Sequence, residues 1–315
     1  MLRLHPRRRW AAALAVLTVA FTAGGCDAGG ADDDAATIGR PPPSNGPQIR
    51  IGAKNFTEQR ILGELYSRAL RAKGFDVVLK LDIGSSEIIH RALARGSLDM
   101  YPEYIGVLLS EVAEVRRRPR STTAAYEVAK AYEKKHGFTL LAQTPFSDSN
   151  ALGVKPQFAA RHRLRTIGDL AKLKRVVRIG ALAEFATRYE GLVGLREVYD
   201  LRGLKVVSVA SEGRYRALAQ GDVDVASVFT TEGQLAGDDH VVLADPQGLF
   251  ASGHVAPIVS AKLLAAHGPS LQEAIDAVTQ ALTTAAMRQM NASVDLAGRR
   301  PADVAAAFLR ARGLV

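Results

Sequence analysis

The sequence predicts an α/β protein of two lobes, and three observations lead to this fold class. The stretch RALARGSLDMYPEY, which begins at Arg91, recurs in altered form as RALAQGDVDVASVF from Arg216. Each copy follows, by about forty residues, a short strand-like segment: IRIGA before the first and VRIGA before the second. A helical segment and another strand-like segment lie between the members of each pair. An order of strand, helix, strand, helix, strand is typical of a parallel sheet covered by helices, so its repetition predicts two such lobes.

The first 26 residues have the features of a secretory leader. Four arginines precede the apolar run WAAALAVLTVAFTA, which is short for a membrane-spanning helix. Small residues follow it, and then comes Cys26, the only cysteine of the chain. This arrangement resembles a bacterial lipoprotein processing site, so we expect cleavage before Cys26 and lipid attachment to its thiol. The protein would then be anchored at the extracytoplasmic face of the cell membrane. An ordinary cleaved signal with an incidental cysteine is the alternative.

Residues 27–47 are rich in Gly, Ala, Asp and Pro and contain little that a core could bury. This composition predicts a flexible tether between the anchor and a folded body. The net charge of the whole chain is +9, and four of its positive charges belong to the leader. The remainder is only mildly basic, and we expect the protein outside the cell membrane. Neither its charge nor its expected location therefore indicates a nucleic-acid partner.

The folded body divides into two halves with matching predicted elements. In the first half we expect a helix over 58–73 and a strand over 76–83, with Asn55 as the helix N-cap and Glu58 as its reciprocal partner. In the second half we expect a helix over 190–199 and a strand over 204–210. Tail helices near 270–287 and 301–313 should cover the first lobe. We assign residues 48–146 and 250–315 to lobe I and residues 147–249 to lobe II.

Aromatic and basic residues stand where a ligand would bind, beyond the carboxyl ends of the predicted strands. Tyr104 follows one strand and Phe229 follows its counterpart, so each lobe offers one aromatic face to a shared cleft. Such faces attract cations. Lys54 and Arg188 lie near corresponding strand ends and suit a carboxylate. The pattern therefore predicts a site for a small zwitterion.

Signals for catalysis are weak in this sequence. The seven histidines show no metal-ligand spacing, and neither a G-x-S-x-G elbow nor a P-loop occurs. We therefore predict a binding protein without metal or cofactor. A secreted enzyme and a sensor domain remain as alternatives.

Several stretches resemble the substrate-binding proteins of ABC importers for glycine betaine, choline and related osmoprotectants. They are IGAKNFTEQRILGELYSRAL, LDMYPEYIG, EFATRYEGLVGLREVYDL and VFTTEG. The resemblance covers residues 49–315. It implies a Venus-flytrap fold of the type II periplasmic-binding-protein class, with two hinge crossovers between the lobes. It also implies a quaternary amine ligand, a membrane permease and ATPase as partners, and a monomeric protein.

The resemblance also implies which residues bind the ligand. Tyr104 and Phe229 match two aromatics of the box that holds the ammonium group in this family. Asn150 and Gly253 stand where further box aromatics are expected, with His254 beside the second. Lys54 and Arg188 match the carboxylate-binding positions.

With this altered box, two ligand classes stay open: a betaine or choline, or another zwitterion such as ergothioneine. Phe146 and Phe250 are candidates to replace the missing aromatics. The expected ligand-binding residues are Lys54, Tyr104, Asn150, Arg188, Phe229 and His254.

Overall fold

The computed structural model describes residues 46–115, 119, 121–209, 213–250 and 253–315. The leader, Cys26 and almost all of the predicted tether lie outside the described residues. The strands of the described part are β1 (Ile49–Gly52), β2 (Val77–Lys80), β3 (Met100–Tyr104), β4 (Phe138–Leu140), β5 (Asn150–Val154), β6 (Val177–Ala181), β7 (Leu204–Ser208), β8 (Val225–Phe229), β9 (Val241–Leu243) and β10 (Val255–Ser260).

The helices connect these strands and cover both faces of the sheets. They are α1 (Thr57–Ala72), α2 (Ser86–Ala94), α3 (Ile105–Val107), α4 (Thr122–Lys135), α5 (Pro156–His162), α6 (Gly194–Tyr199), α7 (Arg214–Gln220), α8 (Ala261–His267), α9 (Pro269–Ala281), α10 (Thr284–Asp295) and α11 (Pro301–Ala311). Short 3₁₀ segments occur at Ile167–Leu173, Ala183–Ala186 and Gly233–Leu235, and short π-helical segments at Leu108–Val112 and Tyr189–Val193.

Two five-stranded sheets with the same topology organise the protein. The first has the order β2-β1-β3-β10-β4 and the second has the order β7-β6-β8-β5-β9. In each sheet three strands run parallel, and the fourth is antiparallel to its neighbours on both sides. The two-lobed α/β prediction is confirmed, but each sheet is mixed where we expected a parallel one. The antiparallel strand directly follows a passage of the chain from one sheet to the other, which no local pattern reveals.

The chain crosses between the sheets twice, and the two crossovers lie side by side. It leaves the first sheet after β4, enters the second at β5 and returns at β10. Ser147 and His254 form an isolated antiparallel bridge between the crossovers. The backbone N–H of Asp148 donates to the carbonyl of Gly253 at 2.9 Å. The two predicted crossovers are therefore present, and their pairing fixes where the lobes join.

The sequence repeat corresponds to the same ion pair in both lobes. In the first, Asp99 accepts hydrogen bonds of 2.8 Å from the backbone N–H and the guanidinium of Arg50. In the second, Asp224 accepts from the backbone and guanidinium of Arg178 and also from Arg175. Burial opposes ionisation of Asp224, but these hydrogen bonds lower its pKa to about 2. Each aspartate thus joins the amino-terminal ends of two neighbouring strands, at the edge opposite the predicted cleft.

The core of the first lobe forms around α1. Its apolar face, which includes Ile61, Leu62 and Leu65, packs in one cluster with residues of α9, α10 and α11. The tail helices therefore lie where we expected them, although the segment predicted near 270–287 is two helices that break at Leu282. The strand predicted over 76–83 ends at Lys80, because Asp82 has a positive φ of 58° that does not fit an extended strand.

Candidate ligand-binding site

A cavity of about 950 Å³ lies between the carboxyl ends of the two sheets. Its walls come from the loops that follow the central strands, from the crossovers and from α10. The residues that line it are Lys54, Phe56, Thr57, Glu58, Tyr104, Gly106, Val107, Ser110, Glu111, Asp148, Ser149, Asn150, Arg188, Tyr189, Glu190, Phe229, Thr231, Glu232, Gly253, Asn291 and Asp295. Five of the six predicted ligand-binding residues are among them.

An aromatic pair forms the wall on the first lobe. Tyr104 is the last residue of β3, and its hydroxyl donates to Oε1 of Glu58 at 2.9 Å. The ring of Phe56 stacks on it, with a centroid separation of 6.1 Å and an interplanar angle of 30°. Tyr104 is almost fully buried, whereas Phe56 keeps 40% of its surface exposed. The exposed face of Phe56, which the sequence analysis missed, is therefore available to a ligand.

The N-cap prediction for α1 is wrong. Phe56 occupies the N-cap position, without a side-chain capping hydrogen bond, and the helix begins at Thr57. Glu58 is buried in the cavity wall, where Tyr104 and Asn291 both donate to its carboxylate. Burial raises the pKa of Glu58, and these hydrogen bonds oppose the rise. Glu58 thus belongs to the site and not to a capping box.

Lys54 does not present a free cation to the cavity. Its side chain is buried, and its Nζ donates to Oε1 of Glu103 at 2.5 Å and to Oγ of Ser86 at 2.9 Å. The same Nζ lies 4.6 Å from the centroid of the Tyr104 ring. Glu103 neutralises this charge, so Lys54 lines the cavity as a paired cation and not as a free one. The sequence could not show this, since Glu103 lies 49 positions away.

The wall on the second lobe combines an aromatic with an amide. Phe229 ends β8 and keeps 39% of its surface exposed. Asn150 is its register partner on β5, and the amide of Asn150 donates to Oε2 of Glu190 at 2.8 Å. The guanidinium of Arg214 lies 5.8 Å from the centroid of the Phe229 ring. One exposed ring therefore lies beside a polar pair.

Arg188 is the exposed cation of the cavity. It precedes the short helical segment Tyr189–Val193 as its N-cap residue. In the described part of the chain no hydrogen bond or ion pair involves its guanidinium. Tyr189, the next residue, also lines the cavity and is 44% exposed. Arg188 can therefore bind an anionic group of a ligand through paired hydrogen bonds.

His254 does not line the cavity. Its Nδ1 lies 2.8 Å from the carbonyl oxygen of Thr144, so the ring is engaged within the crossover region. Gly253, beside it, does line the cavity, but a Cβ at this position would lie 1.6 Å from the carbonyl oxygen of Asp148. The close approach of the two crossovers thus leaves no room for an aromatic side chain at 253.

The two candidate replacement aromatics lie elsewhere. Phe146 is fully buried in the core of the first lobe. Phe250 packs against the core of the second lobe. Neither of them lines the cavity, so the aromatics that the structure adds to Tyr104 and Phe229 are Phe56 and Tyr189.

The cavity wall is acidic. Two of its side chains carry positive charge, and one of these, Lys54, is neutralised by Glu103. The carboxyl groups of the wall are Glu58, Glu111, Asp148, Glu190, Glu232 and Asp295. Arg214 pairs with Glu232, and burial raises the pKa of Glu58 and Asp148, so these three carboxyls contribute less negative charge than the other three. A concave surface lined mainly by one sign of charge concentrates ligands of the opposite sign. The wall therefore favours a cation or a ligand with a cationic head.

Comparisons with known proteins agree with this architecture. A sequence model of the family described as "Substrate binding domain of ABC-type glycine betaine transport system" matches residues 47–311. The chain belongs to this family. It is thus the substrate-binding component of an ABC importer, a class of extracytoplasmic binding proteins that work with a permease. In the described part of the chain, no helix is long and apolar enough to cross a bilayer.

Relatives and solved structures cover most of the chain. The glycine-betaine-binding protein of Pseudomonas aeruginosa is 30% identical over 278 residues, which are 85% of this chain and 88% of that protein. An ergothioneine transport permease/ergothioneine binding protein, EgtU of Helicobacter pylori, is 26% identical over 84% of this chain and 47% of its own length. A crystal structure of a glycine betaine/carnitine/choline ABC transporter has a TM-score of 0.79 at 26% identity, and the match covers 84% of this chain and 99% of that one.

Proposed function

We propose that this chain captures a small quaternary ammonium compound, such as choline or glycine betaine, in the cavity between its lobes. One observation carries the proposal: exposed aromatic rings, Phe56 and Phe229, stand on opposite walls of a cavity that is otherwise acidic. A quaternary ammonium has no N–H to donate, so a protein binds it through aromatic faces and surrounding negative charge. The stacked Phe56–Tyr104 pair supplies the first face and Phe229 the second.

The remaining wall residues have distinct roles in this proposal. Arg188 binds the carboxylate of a ligand that has one. Asn150 and Glu190 form the polar side of the second wall. Lys54 acts indirectly, because its ion pair with Glu103 supports the Tyr104 ring from behind the cavity. His254 stabilises the crossover through Thr144 and does not touch the ligand.

Ergothioneine is a second candidate ligand, and the Asn150–Glu190 pair beside Phe229 favours it. This molecule joins a trimethylammonium group and a carboxylate to a ring that carries N–H groups. A polar second wall suits such a ring better than a cage built only of aromatics. The similarity to EgtU is consistent with this candidate.

We also propose how the protein is anchored and which partners it has in the cell. Cys26 would carry the lipid anchor, and residues 27–47 would tether a body made of residues 48–146 with 250–315 and residues 147–249. The protein would act as a monomer, bind its ligand without catalysis and pass it to the permease and ATPase of its importer. The replacement Cys26→Ser should move the protein from the membrane fraction to the soluble fraction. Retention of this variant on membranes would argue against the anchor.

Thermal unfolding of the purified protein tests the binding proposal. A ligand that binds only the folded state raises the melting temperature, and the stabilisation grows with the logarithm of its concentration relative to its dissociation constant. We expect millimolar choline, glycine betaine or ergothioneine to raise the melting temperature by several degrees. Ammonium chloride and sodium acetate, which match the charges without the methyl groups, should have no comparable effect. Equal effects of all these compounds would contradict the proposal.

A further inference from the structure

One end of the cavity contains buried hydrogen-bond acceptors that lack donors. Asn291 on α10 is buried, with only 4% of its surface exposed. Its Nδ2 donates to Oε2 of Glu58 at 2.9 Å and to the carbonyl of Thr231 at 2.8 Å. Because both partners are acceptors, the amide cannot be flipped without placing oxygen against oxygen. Its Oδ1 therefore faces away from them, and it is buried without a partner among the described residues.

Asp148, on the first crossover, is a second residue with a buried acceptor oxygen that lacks a donor among the described residues. Its side chain hydrogen-bonds with Thr231, yet its Oδ1 is buried and has no donor in the part of the chain that the structure describes. Glu58 also shares a hydrogen bond with the Thr231 side chain. The Thr231 hydroxyl has one proton and cannot donate to both carboxyl groups at once, while the backbone N–H of Thr231 also donates to Asp148. Burial and then the charge of Glu58 raise the pKa of Asp148 well above its ordinary value.

The nearby donors of the wall are already committed. The Tyr104 hydroxyl donates to Glu58, and the Lys54 ammonium is bound to Glu103 and Ser86. The raised pKa values of Glu58 and Asp148 mean that this pair of carboxyl groups retains a proton more readily than separate carboxyls do. Even with that one proton, the buried acceptors at this end of the cavity outnumber the donors. A buried acceptor without a donor is unfavourable, and a ligand that supplies the missing hydrogen removes this cost.

We propose that Asp148 and Asn291 form a subsite that accepts an O–H or N–H group of the ligand. The subsite makes the protein select quaternary ammonium compounds that also carry a hydroxyl or N–H group. Glycine betaine, whose only hydrogen-bonding group is an acceptor, cannot satisfy it. This inference rests on the proposed function and narrows its ligand class.

Matched ligand pairs test the inference on the purified wild-type protein. Carnitine and γ-butyrobetaine differ only by a hydroxyl, as do choline and ethyltrimethylammonium. A site built to hydrogen-bond a hydroxyl discriminates strongly against an analogue without it. We expect calorimetric titration to give at least about tenfold tighter binding for the hydroxylated member of one pair or both. Equal affinities within both pairs would overturn the subsite and leave the proposed function standing.

Single-residue variants then test whether Asp148 and Asn291 cause the preference for hydroxylated ligands. The change Asp148→Ala should reduce the ratio of affinities within a pair to about twofold or less, as expected once the acceptor is gone. As a matched control, Glu111→Gln removes a carboxylate from the same cavity without touching the subsite, and should leave the ratio unchanged. A ratio preserved in Asp148→Ala and in Asn291→Leu would overturn the assignment. Since the wild-type comparison needs no variant, poor folding of either one does not remove the test. Binding of no quaternary ammonium compound at all would refute the proposed function, and the inference with it.

Discussion

The Nζ of Lys54 lies 2.5 Å from Oε1 of Glu103, and both side chains are buried. Glu103 also accepts the backbone N–H of Tyr104 at 2.7 Å. The ion pair therefore holds the end of β3 in place. A cation that would otherwise bind a ligand carboxylate serves the structure instead.

Removal of Lys54 should destabilise the protein. Breaking a buried ion pair on one side leaves an uncompensated charge, which costs about 3–5 kcal/mol. We expect Lys54→Met to lower the free energy of unfolding by an amount in this range, measured by chemical denaturation. The double variant Lys54→Met with Glu103→Gln should recover much of the loss, because it removes both charges. A single variant as stable as the wild type would show that the pair contributes nothing.

We expect Arg188 to contribute to binding affinity only for ligands that carry a carboxylate. A hydrogen bond to a charged group contributes about 1.5–3 kcal/mol, which corresponds to roughly tenfold or more in affinity. We expect Arg188→Ala to weaken binding of a betaine by about this factor and to leave choline within about twofold. Arg196→Ala, an exposed arginine outside the cavity, is the control. A similar loss for choline and betaine would remove Arg188 as the carboxylate ligand.

Phe229 should contribute through its ring face. Cation–π attraction adds about 0.5–2 kcal/mol, depending on how dry the contact is. Phe229→Leu should therefore weaken choline binding between about twofold and thirtyfold. Phe229→Tyr keeps the face and should bind nearly as the wild type does. The uncharged isostere 3,3-dimethylbutanol should lose much less in Phe229→Leu than choline does. Equal losses for both compounds would mean that the ring provides only apolar contact.

A buried carboxyl behind the site should make stability depend on pH. Burial and then the charge of Glu103 raise the pKa of Glu133 to about 8, and the Nδ1 of His90 lies 3.8 Å from its Oε1. Burial lowers the pKa of His90, so this ring does not compensate an ionised Glu133 at neutral pH. Because the folded pKa lies above the ordinary 4.5, the unfolded state loses its proton first as pH rises. The destabilisation is absent below pH 4.5, grows between 4.5 and 8, and is complete above 8.

Denaturation at several pH values checks this dependence. Glu133→Gln should be more stable than the wild type at pH 8 by a few kcal/mol, and nearly equal to it at low pH. Glu127→Gln, an exposed residue on the same helix, should not alter the pH profile. A Glu133→Gln protein whose stability changes with pH as the wild type's does would contradict the account.

Gly253 should tolerate no side chain. Its missing Cβ would lie 1.6 Å from the carbonyl oxygen of Asp148, so Gly253→Ala must push the two crossovers apart. We expect a loss of about 2 kcal/mol or more in unfolding free energy, as overpacked sites typically show. Gly237→Ala is the control, since nothing lies within 4 Å of its Cβ position. Equal stability of both variants would mean that the hinge adjusts at no cost.

The two-lobed architecture could be predicted from the sequence, because the pattern of strands and helices that indicates a lobe is local and occurs twice. The paired stretches predicted both lobes, and the structure shows that their shared aspartates, Asp99 and Asp224, bind the arginines of the preceding strands. That Arg–Asp link was present in the repeat itself and could have been read from it. The antiparallel fourth strand of each sheet could not, because it depends on where the chain crosses between lobes.

The site was only partly predictable, and the reason is similar. Tyr104 and Phe229 end strands, and strand ends meet at one edge of a sheet, so position in the motif was enough to place them in the cavity. The pairing of Lys54 with Glu103 could not be anticipated, because the two residues are distant in sequence. Asn291 was missed because α10 reaches the cavity through packing on α1 and on the short segment Gly233–Leu235, both distant in sequence. Side chains that meet through tertiary packing leave no periodic signal in the sequence.

The central claim is that the cavity binds a quaternary ammonium compound. Calorimetric titration of the purified protein with choline, glycine betaine, carnitine, proline betaine and ergothioneine tests it most directly. We predict saturable binding of at least one of them, and its loss when Phe56→Ala and Phe229→Ala, the two exposed rings, are combined. The absence of binding for all five compounds, or binding that survives in the double variant, would contradict the claim.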